Sequence, residues 1–131
     1  MFIEKRKTNF KLLYSAFKKF DDVFILPQWS VGADPSWFGF LLTVKDGAKF
    51  KRDDLLKFLN SKKIGTRLLF AGNVTKQPYF TERSVAFRVA GTLDNTDKIM
   101  NDTFWIGVGP LVTESMIGYI IKAIEGFLAR N

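Results

Sequence analysis

The stretch Lys63 to Phe80, KIGTRLLFAGNVTKQPYF, gathers more ligand-holding groups than any other part of this sequence. Arg67 lies in an apolar run beside Thr66, Leu68 and Leu69, and Asn73, Thr75, Lys76, Gln77 and Tyr79 crowd the segment that follows. A guanidinium stays charged and offers paired N–H groups that match two oxygens of a phosphate or carboxylate, so Arg67 reads as a fork-shaped donor. Loops that follow strands commonly carry binding groups. The competing reading is an Arg on the solvent face of a sheet, and the residues alone leave both open.

Little other chemistry is on offer. The chain has no Cys and no His, which excludes disulfides, thiolate catalysis, imidazole acid-base work and nearly every transition-metal site. No Gly-rich phosphate loop is present. The carboxylate pairs Asp21-Asp22 and Asp53-Asp54 fall at expected helix ends, where capping and the helix dipole account for them. No catalytic residue and no metal ligand is assigned.

The elements that must position Arg67 follow from periodicity. Phe10, Leu13, Tyr14 and Phe17 fall at i, i+3, i+4 and i+7, which predicts an amphipathic helix from Phe2 to about Phe20. Phe24 to Leu26 is a short apolar run broken by Pro27, and Gln28 to Ser36 is loop-like. Trp37 to Val44 predicts a central strand, closed by Asp46-Gly47. Leu55, Leu56, Phe58 and Leu59 predict a helix opened by Asp53 and Asp54 and closed near Lys62 and Lys63. Thr66 to Phe70 is expected to be extended, with an irregular loop after it, and Val85 to Val89 alternates as a strand would. Asp94 or Asn95 can cap a short helix before a strand over Thr103 to Val108. Thr113 can cap a last helix whose stripe is Ile117, Ile120, Ile121, Ile124 and Leu128. Trp37 and Trp105 are expected in the core, while Trp29 is unsettled. The order predicts an α+β fold, a small antiparallel or mixed sheet with helices packed on it, forming a single domain over residues 1–131.

Lys and Arg number 20 against 13 Asp and Glu, a net charge of +7 that favours an anionic partner. Six of these cations, Lys5, Arg6, Lys7, Lys11, Lys18 and Lys19, fall on the opening helix, so a solvated helical face explains much of the excess. No apolar run approaches the roughly 18 residues that span a bilayer, and the amino terminus lacks an apolar signal core, so a cytoplasmic location is expected. Aromatic residues make up 15% of the chain, enough that some apolar surface is expected to meet a partner.

GTRLLFAGN followed by QPYF, and then NTDKIMNDTFWIGV, resemble the carboxy-terminal domain of the CDP-4-keto-6-deoxyglucose 3-dehydrases, within the DegT/DnrJ/EryC1/StrS aminotransferase-like group. FIEKRKTNF, PSWFGFLLTV and Arg52-Asp53-Asp54-Leu55 extend the resemblance to essentially the whole chain. Where ordinary aminotransferases of the group resemble a Pro-Leu-His pattern, Ala71, Gly72 and Asn73 stand here, which favours the dehydrase branch.

The resemblance implies the small domain of a fold type I enzyme that uses pyridoxamine or pyridoxal phosphate and dehydrates a CDP- or other nucleotide-linked 4-keto-6-deoxyhexose on the way to lipopolysaccharide sugars. It implies a homodimeric parent with an iron-sulfur cluster, with the cofactor domain outside these residues. It further implies a substrate-binding set of Thr66, Arg67, Gly72, Asn73, Gln77 and Tyr79, with Arg67 on phosphates or sugar and Asn73 on a polar sugar group. The chain alone is then expected to be inactive. Two other classes compete: a basic nucleic-acid-binding module, in which the Lys-rich helix meets phosphates and aromatics stack on bases, and a non-catalytic assembly domain. No membrane partner is expected.

Overall fold

The apolar spacing at the start of the chain forms one helix. In a computed structural model describing residues 1–131, α1 spans Phe2–Phe17 and buries Asn9, Phe10, Leu13 and Phe17, with a 3-10 turn over Lys18–Phe20. β1 (Phe24–Ile25), β2 (Gly39–Val44), α2 (Arg52–Ser61) and β3 (Thr66–Leu68) follow, then a 3-10 turn over Val74–Lys76 and α3 (Pro78–Glu82). α4 (Asp94–Asp102), β4 (Thr103–Gly107) and α5 (Glu114–Leu128) complete the chain. Its fold is α+β.

The four strands form one sheet in the order β1-β2-β4-β3, and every pairing is antiparallel, which settles the choice between antiparallel and mixed. Gly39↔Gly107, Leu41↔Trp105 and Thr43↔Thr103 pair across β2 and β4, and Arg67 pairs with Trp105 across β3 and β4. Because successive side chains alternate, Phe40, Leu42, Val44, Phe104 and Ile106 share one face, and Leu41, Thr43, Thr103, Trp105 and Arg67 the other. The first face is buried beneath helices. Phe40 meets Phe10 and Phe17 of α1 at ring-centroid distances of 5.3 and 5.2 Å, and α5 adds Ile117, Ile120, Ile124 and Phe127 to the same core. Removing one such buried Phe side chain costs about 3–5 kcal/mol. Asn9, fully buried, ties α1 to the segment between β4 and α5 by donating to the carbonyls of Gly109 at 2.9 Å and Val112 at 3.0 Å.

Several expectations are corrected. The predicted strand at Trp37 begins only at Gly39, because its ladder partner β4 ends at Gly107. Val85–Val89 pairs with nothing and is mostly exposed; the edge strand β3 stops at Leu68, and Phe87 packs on Phe80 instead at 5.4 Å. The loop after β3 contains a 3-10 turn and α3, whose first residue is Pro78; proline suits that position because the first helical N–H has no partner to lose. Asp94 lies in the first turn of α4 and the cap position falls to Leu93. Thr113 caps α5 as expected, its Oγ1 accepting from the Met116 N–H.

α2 ends in a left-handed turn at Lys63, with φ +61°. The N–H of Ile64 then donates to the Leu59 carbonyl at 3.0 Å and that of Lys63 to Asn60 at 2.9 Å, which satisfies the last turn. A side chain in this conformation costs on the order of 1 kcal/mol relative to glycine. Lys63→Gly is therefore expected to raise stability by about 1 kcal/mol in urea unfolding; a decrease would show that the Lys63 side chain matters more than its backbone strain.

Candidate functional site

The second sheet face carries no long helix, and the reactive groups collect there. Trp105 lies at its centre, between Phe38 at 4.9 Å and Phe70 at 5.4 Å, and rests against Gly39, where an added Cβ would come within 3.1 Å of the indole. Phe38 is 69% exposed and Phe70 82%, so this aromatic strip has no cover within the chain. Trp105 thus belongs to the uncovered face rather than to the core. Trp37 does border the core, stacked on Phe10 at 4.6 Å, and Trp29 closes the same cluster at 5.7 Å from Trp37.

Along this strip runs a hollow of about 540 Å³, lined by Arg6, Phe38, Asn60, Thr66, Arg67, Trp105 and the glycines around them. β3 supplies Arg67 directly opposite Trp105, where antiparallel partners hold their Cβ atoms about 5 Å apart. The Arg67 side chain is exposed and makes no hydrogen bond or ion pair. Contrast Arg52, which is buried and donates to Asp53 and to the carbonyls of Met100 and Thr103. An exposed guanidinium in a hollow without a carboxylate can receive phosphate or carboxylate oxygens.

Of the six residues expected to bind, Thr66 and Arg67 meet in this hollow, while Gly72, Asn73, Gln77 and Tyr79 lie in the loop beyond β3. Asn73 does not project into open space. It is 1% exposed, its Oδ1 accepts from the N–H and hydroxyl of Thr75, and its Nδ2 donates to Asp97 at 2.7 Å. Gly72 has φ +63°, and a Cβ there would meet Met100 Cγ at 2.5 Å, so glycine is what lets the loop pass close to α4. Gln77 donates to the Ala71 carbonyl at 2.6 Å, and Tyr79 is exposed with Arg83 over its ring at 5.4 Å. Arg6, Phe38 and Asn60 are hollow residues outside the expected binding set, and Trp105, expected in the core, joins them. A usable signal existed for Arg6: it precedes the buried Asn9 by three residues, hence on the same side of α1.

The loop is fastened to α4 through one carboxylate. Lys76 donates to Asp97 at 2.8 Å and Asn73 to its other oxygen; these two bonds, Lys76 first, hold the Asp97 carboxyl below the usual carboxylate range. A depressed folded-state pKa adds stability that is complete above the ordinary value of 3.8 and is lost as pH falls through the lower folded value. Protection of the Thr75 amide against hydrogen exchange is expected to hold from neutral pH down to the ordinary carboxylate range and to fall only in stronger acid. Asp97→Asn should loosen the same amide already at neutral pH. Loosening of the unaltered protein well above pH 3.8 would contradict this account.

The chain is thus an α+β layer whose long helices lie on one sheet face, while the other face presents an Arg with no partner among its own side chains. The chain belongs to the DegT/DnrJ/EryC1/StrS aminotransferase family, whose model matches residues 1–125. It is 46% identical over 130 residues to the lipopolysaccharide biosynthesis protein RfbH of Salmonella typhimurium, covering 99% of this chain and 29% of that protein. It is 45% identical over 107 residues to the dTDP-4-dehydro-2,6-dideoxy-D-glucose 3-dehydratase of Saccharopolyspora spinosa, covering 82% of this chain and 23% of that one. The chain therefore spans under a third of the length of these curated relatives. Among solved structures, the E. coli GDP-4-keto-6-deoxy-D-mannose-3-dehydratase with bound hydrated PLP superposes with a TM-score of 0.81 at 23% identity, over 92% of this chain and 30% of that one. An aminotransferase from Psychrobacter cryohalolentis gives 0.83 at 19% identity, over 98% and 35%. These likenesses establish the fold.

The hollow does not fit pyridoxal phosphate by itself. Its lining has neither a Lys to form a Schiff base nor a carboxylate to pair with the pyridine nitrogen. Without cysteine, the chain also lacks the thiolates that hold iron-sulfur clusters.

Proposed function

We propose that these 131 residues are the small domain of a pyridoxamine or pyridoxal phosphate enzyme acting as a nucleotide-sugar 3-dehydratase in deoxysugar or lipopolysaccharide biosynthesis. The observation that carries the reading is the unpaired Arg67 guanidinium in a hollow on the one sheet face that the chain leaves uncovered. In this reading Arg67 holds phosphate or sugar oxygens of the nucleotide sugar, and Thr66 lies beside it. Asn73 and Gly72 act indirectly, by keeping the following loop against α4. Gln77 and Tyr79 stay on the loop's exposed side, within reach of a neighbouring polypeptide.

Surface area supports a covering partner. The chain exposes 8789 Å², whereas a 15.0 kDa monomer ordinarily exposes about 7,000 Å². Phe38 and Phe70 on the bare face and Val74 in the loop beyond it contribute to that excess. A cofactor-bearing domain, with a second subunit of a dimer, would supply the opposite wall together with the acid-base groups that the lining of this hollow lacks. When bound there, the cofactor would act as the electron sink for removal of the C3 hydroxyl.

Two measurements test the reading. Pyridoxal phosphate added to the chain is expected to give no stoichiometric aldimine absorbance; formation of one on a Lys of this chain would overturn the domain assignment. CDP-glucose, followed by ¹⁵N NMR, is expected to shift resonances of Thr66, Arg67 and Trp105, and Arg67→Gln to weaken that binding about tenfold, as loss of a charge-assisted hydrogen bond does. Absence of any response at this face would sink the assignment of the site.

A further inference from the structure

Arg67 is not the only cation in the hollow. Arg6 enters from α1, an element remote in sequence from β3, and its guanidinium carbon stands 5.7 Å from the centre of the Phe38 ring. Its backbone position is fixed by the Asn9 bonds to Gly109 and Val112, one helical turn further along α1, and Gly109 itself lines the hollow. The Arg6 Nε–H is buried and has no acceptor, and no carboxylate pairs with its guanidinium. Burying a charged donor without an acceptor is costly, and that cost is recovered when an oxygen arrives.

Two guanidinium groups therefore share one hollow whose twelve lining residues include no Asp or Glu. Two other hollows with paired cations differ: the one beside Trp29 sets Asp34 against Lys7 and Lys11, and the one near the carboxy terminus sets Asp22, Asp46 and Glu125 against Lys19 and Lys49, while the acid-free hollow at Lys63 holds a single cation. Two cations bordering one hollow without compensation make it attractive to anions, and a single carboxylate would answer only one of them. A diphosphate has charge and oxygens enough for both forks. Gly107 and Gly109, with open space where a Cβ would stand, leave room between the two.

We infer that Arg6 is the second anchor of this site, and that Arg6 and Arg67 together grip the diphosphate of the nucleotide sugar while Trp105 and Phe38 form the apolar floor. This rests on the reading of the hollow as a nucleotide-sugar wall, and it narrows the ligand group to the diphosphate. It also assigns α1, and not only the β3 loop, to the binding face.

The test uses the 131-residue chain and inorganic pyrophosphate, followed by ¹⁵N NMR at low salt, with CDP-glucose as the second ligand. Wild type is expected to bind both, each more weakly as salt rises. Arg6→Gln should weaken both about tenfold or more, and Arg6→Lys should restore part of the loss, because it keeps the charge but not the fork. Arg130→Gln, which removes one charge away from the hollow, should change neither. Thermal unfolding of each variant checks that the fold persists. Weakening by Arg67→Gln with no effect of Arg6→Gln would overturn this inference and leave the nucleotide-sugar wall standing. Binding of CDP-glucose without any binding of pyrophosphate would overturn the diphosphate assignment alone. No response to either ligand would remove both readings.

Discussion

The structure depends on the pairing of β2 with β4. This ladder, Gly39–Thr43 against Thr103–Gly107, places Phe40, Leu42, Phe104 and Ile106 on one side and Leu41, Thr43, Thr103 and Trp105 on the other. A slip of one residue would exchange the two sets. The register is pinned where it can least slip: Gly39 opposes Gly107 at one end, where the indole of Trp105 crowds the place a side chain at Gly39 would take, and Thr43 and Thr103 share a hydroxyl bond of 2.8 Å at the other. Every later placement, including that of Arg67 beside Trp105, inherits this alignment.

The helices then divide the labour. α1, α2 and α5 gather on the buried side, where Leu13, Leu55, Leu59 and Ile124 are fully enclosed. The opposite side presents aromatic side chains and Arg67, and Arg6 reaches the same hollow from α1. This asymmetry is what a domain needs if its binding surface must be rigid yet open, since the core that stabilises it and the face that meets a ligand share the same strands but not the same side chains. The loop beyond β3 is tied to the same ladder, because its hydrogen bonds run to Asp97 on α4, the helix that continues without a break into β4.

Much of this was legible in the residues. Helical spacing of large apolar side chains revealed α1, α2 and α5, and the aromatic runs ending at Val44 and Val108 revealed the two central strands, because those elements are specified by local periodicity. Val85–Val89 shows the limit: alternation describes a strand only if an edge is available to receive it, and β3 is too short to offer one. Pro78 misleads in the opposite way, since a proline at a helix start is decided by backbone geometry that side-chain type only weakly reports; Lys63 marks its helix end correctly, but its left-handed backbone leaves no sign in the residue type. For the site, Arg67 was visible as a charge inside an apolar run. Its companions Arg6, Phe38 and Trp105 were not, because they are brought to it by cross-strand register and by the docking of α1, neither of which leaves a mark in any one stretch of sequence. The Asn73 amide was visible as a polar group but not as one already spent on Thr75 and Asp97.

The brevity of β3 has a colloidal consequence. A sheet with a bare aromatic face would ordinarily risk growing into ribbons, since an unpaired edge templates further strands. Here the ladder on that side ends after three residues, and the left-handed backbone of Phe70, φ +42°, turns the chain away at once. Sticky surface and open hydrogen-bonding edge are thereby kept apart, so copies of the chain that meet through their aromatic strips lack a rail along which to polymerise.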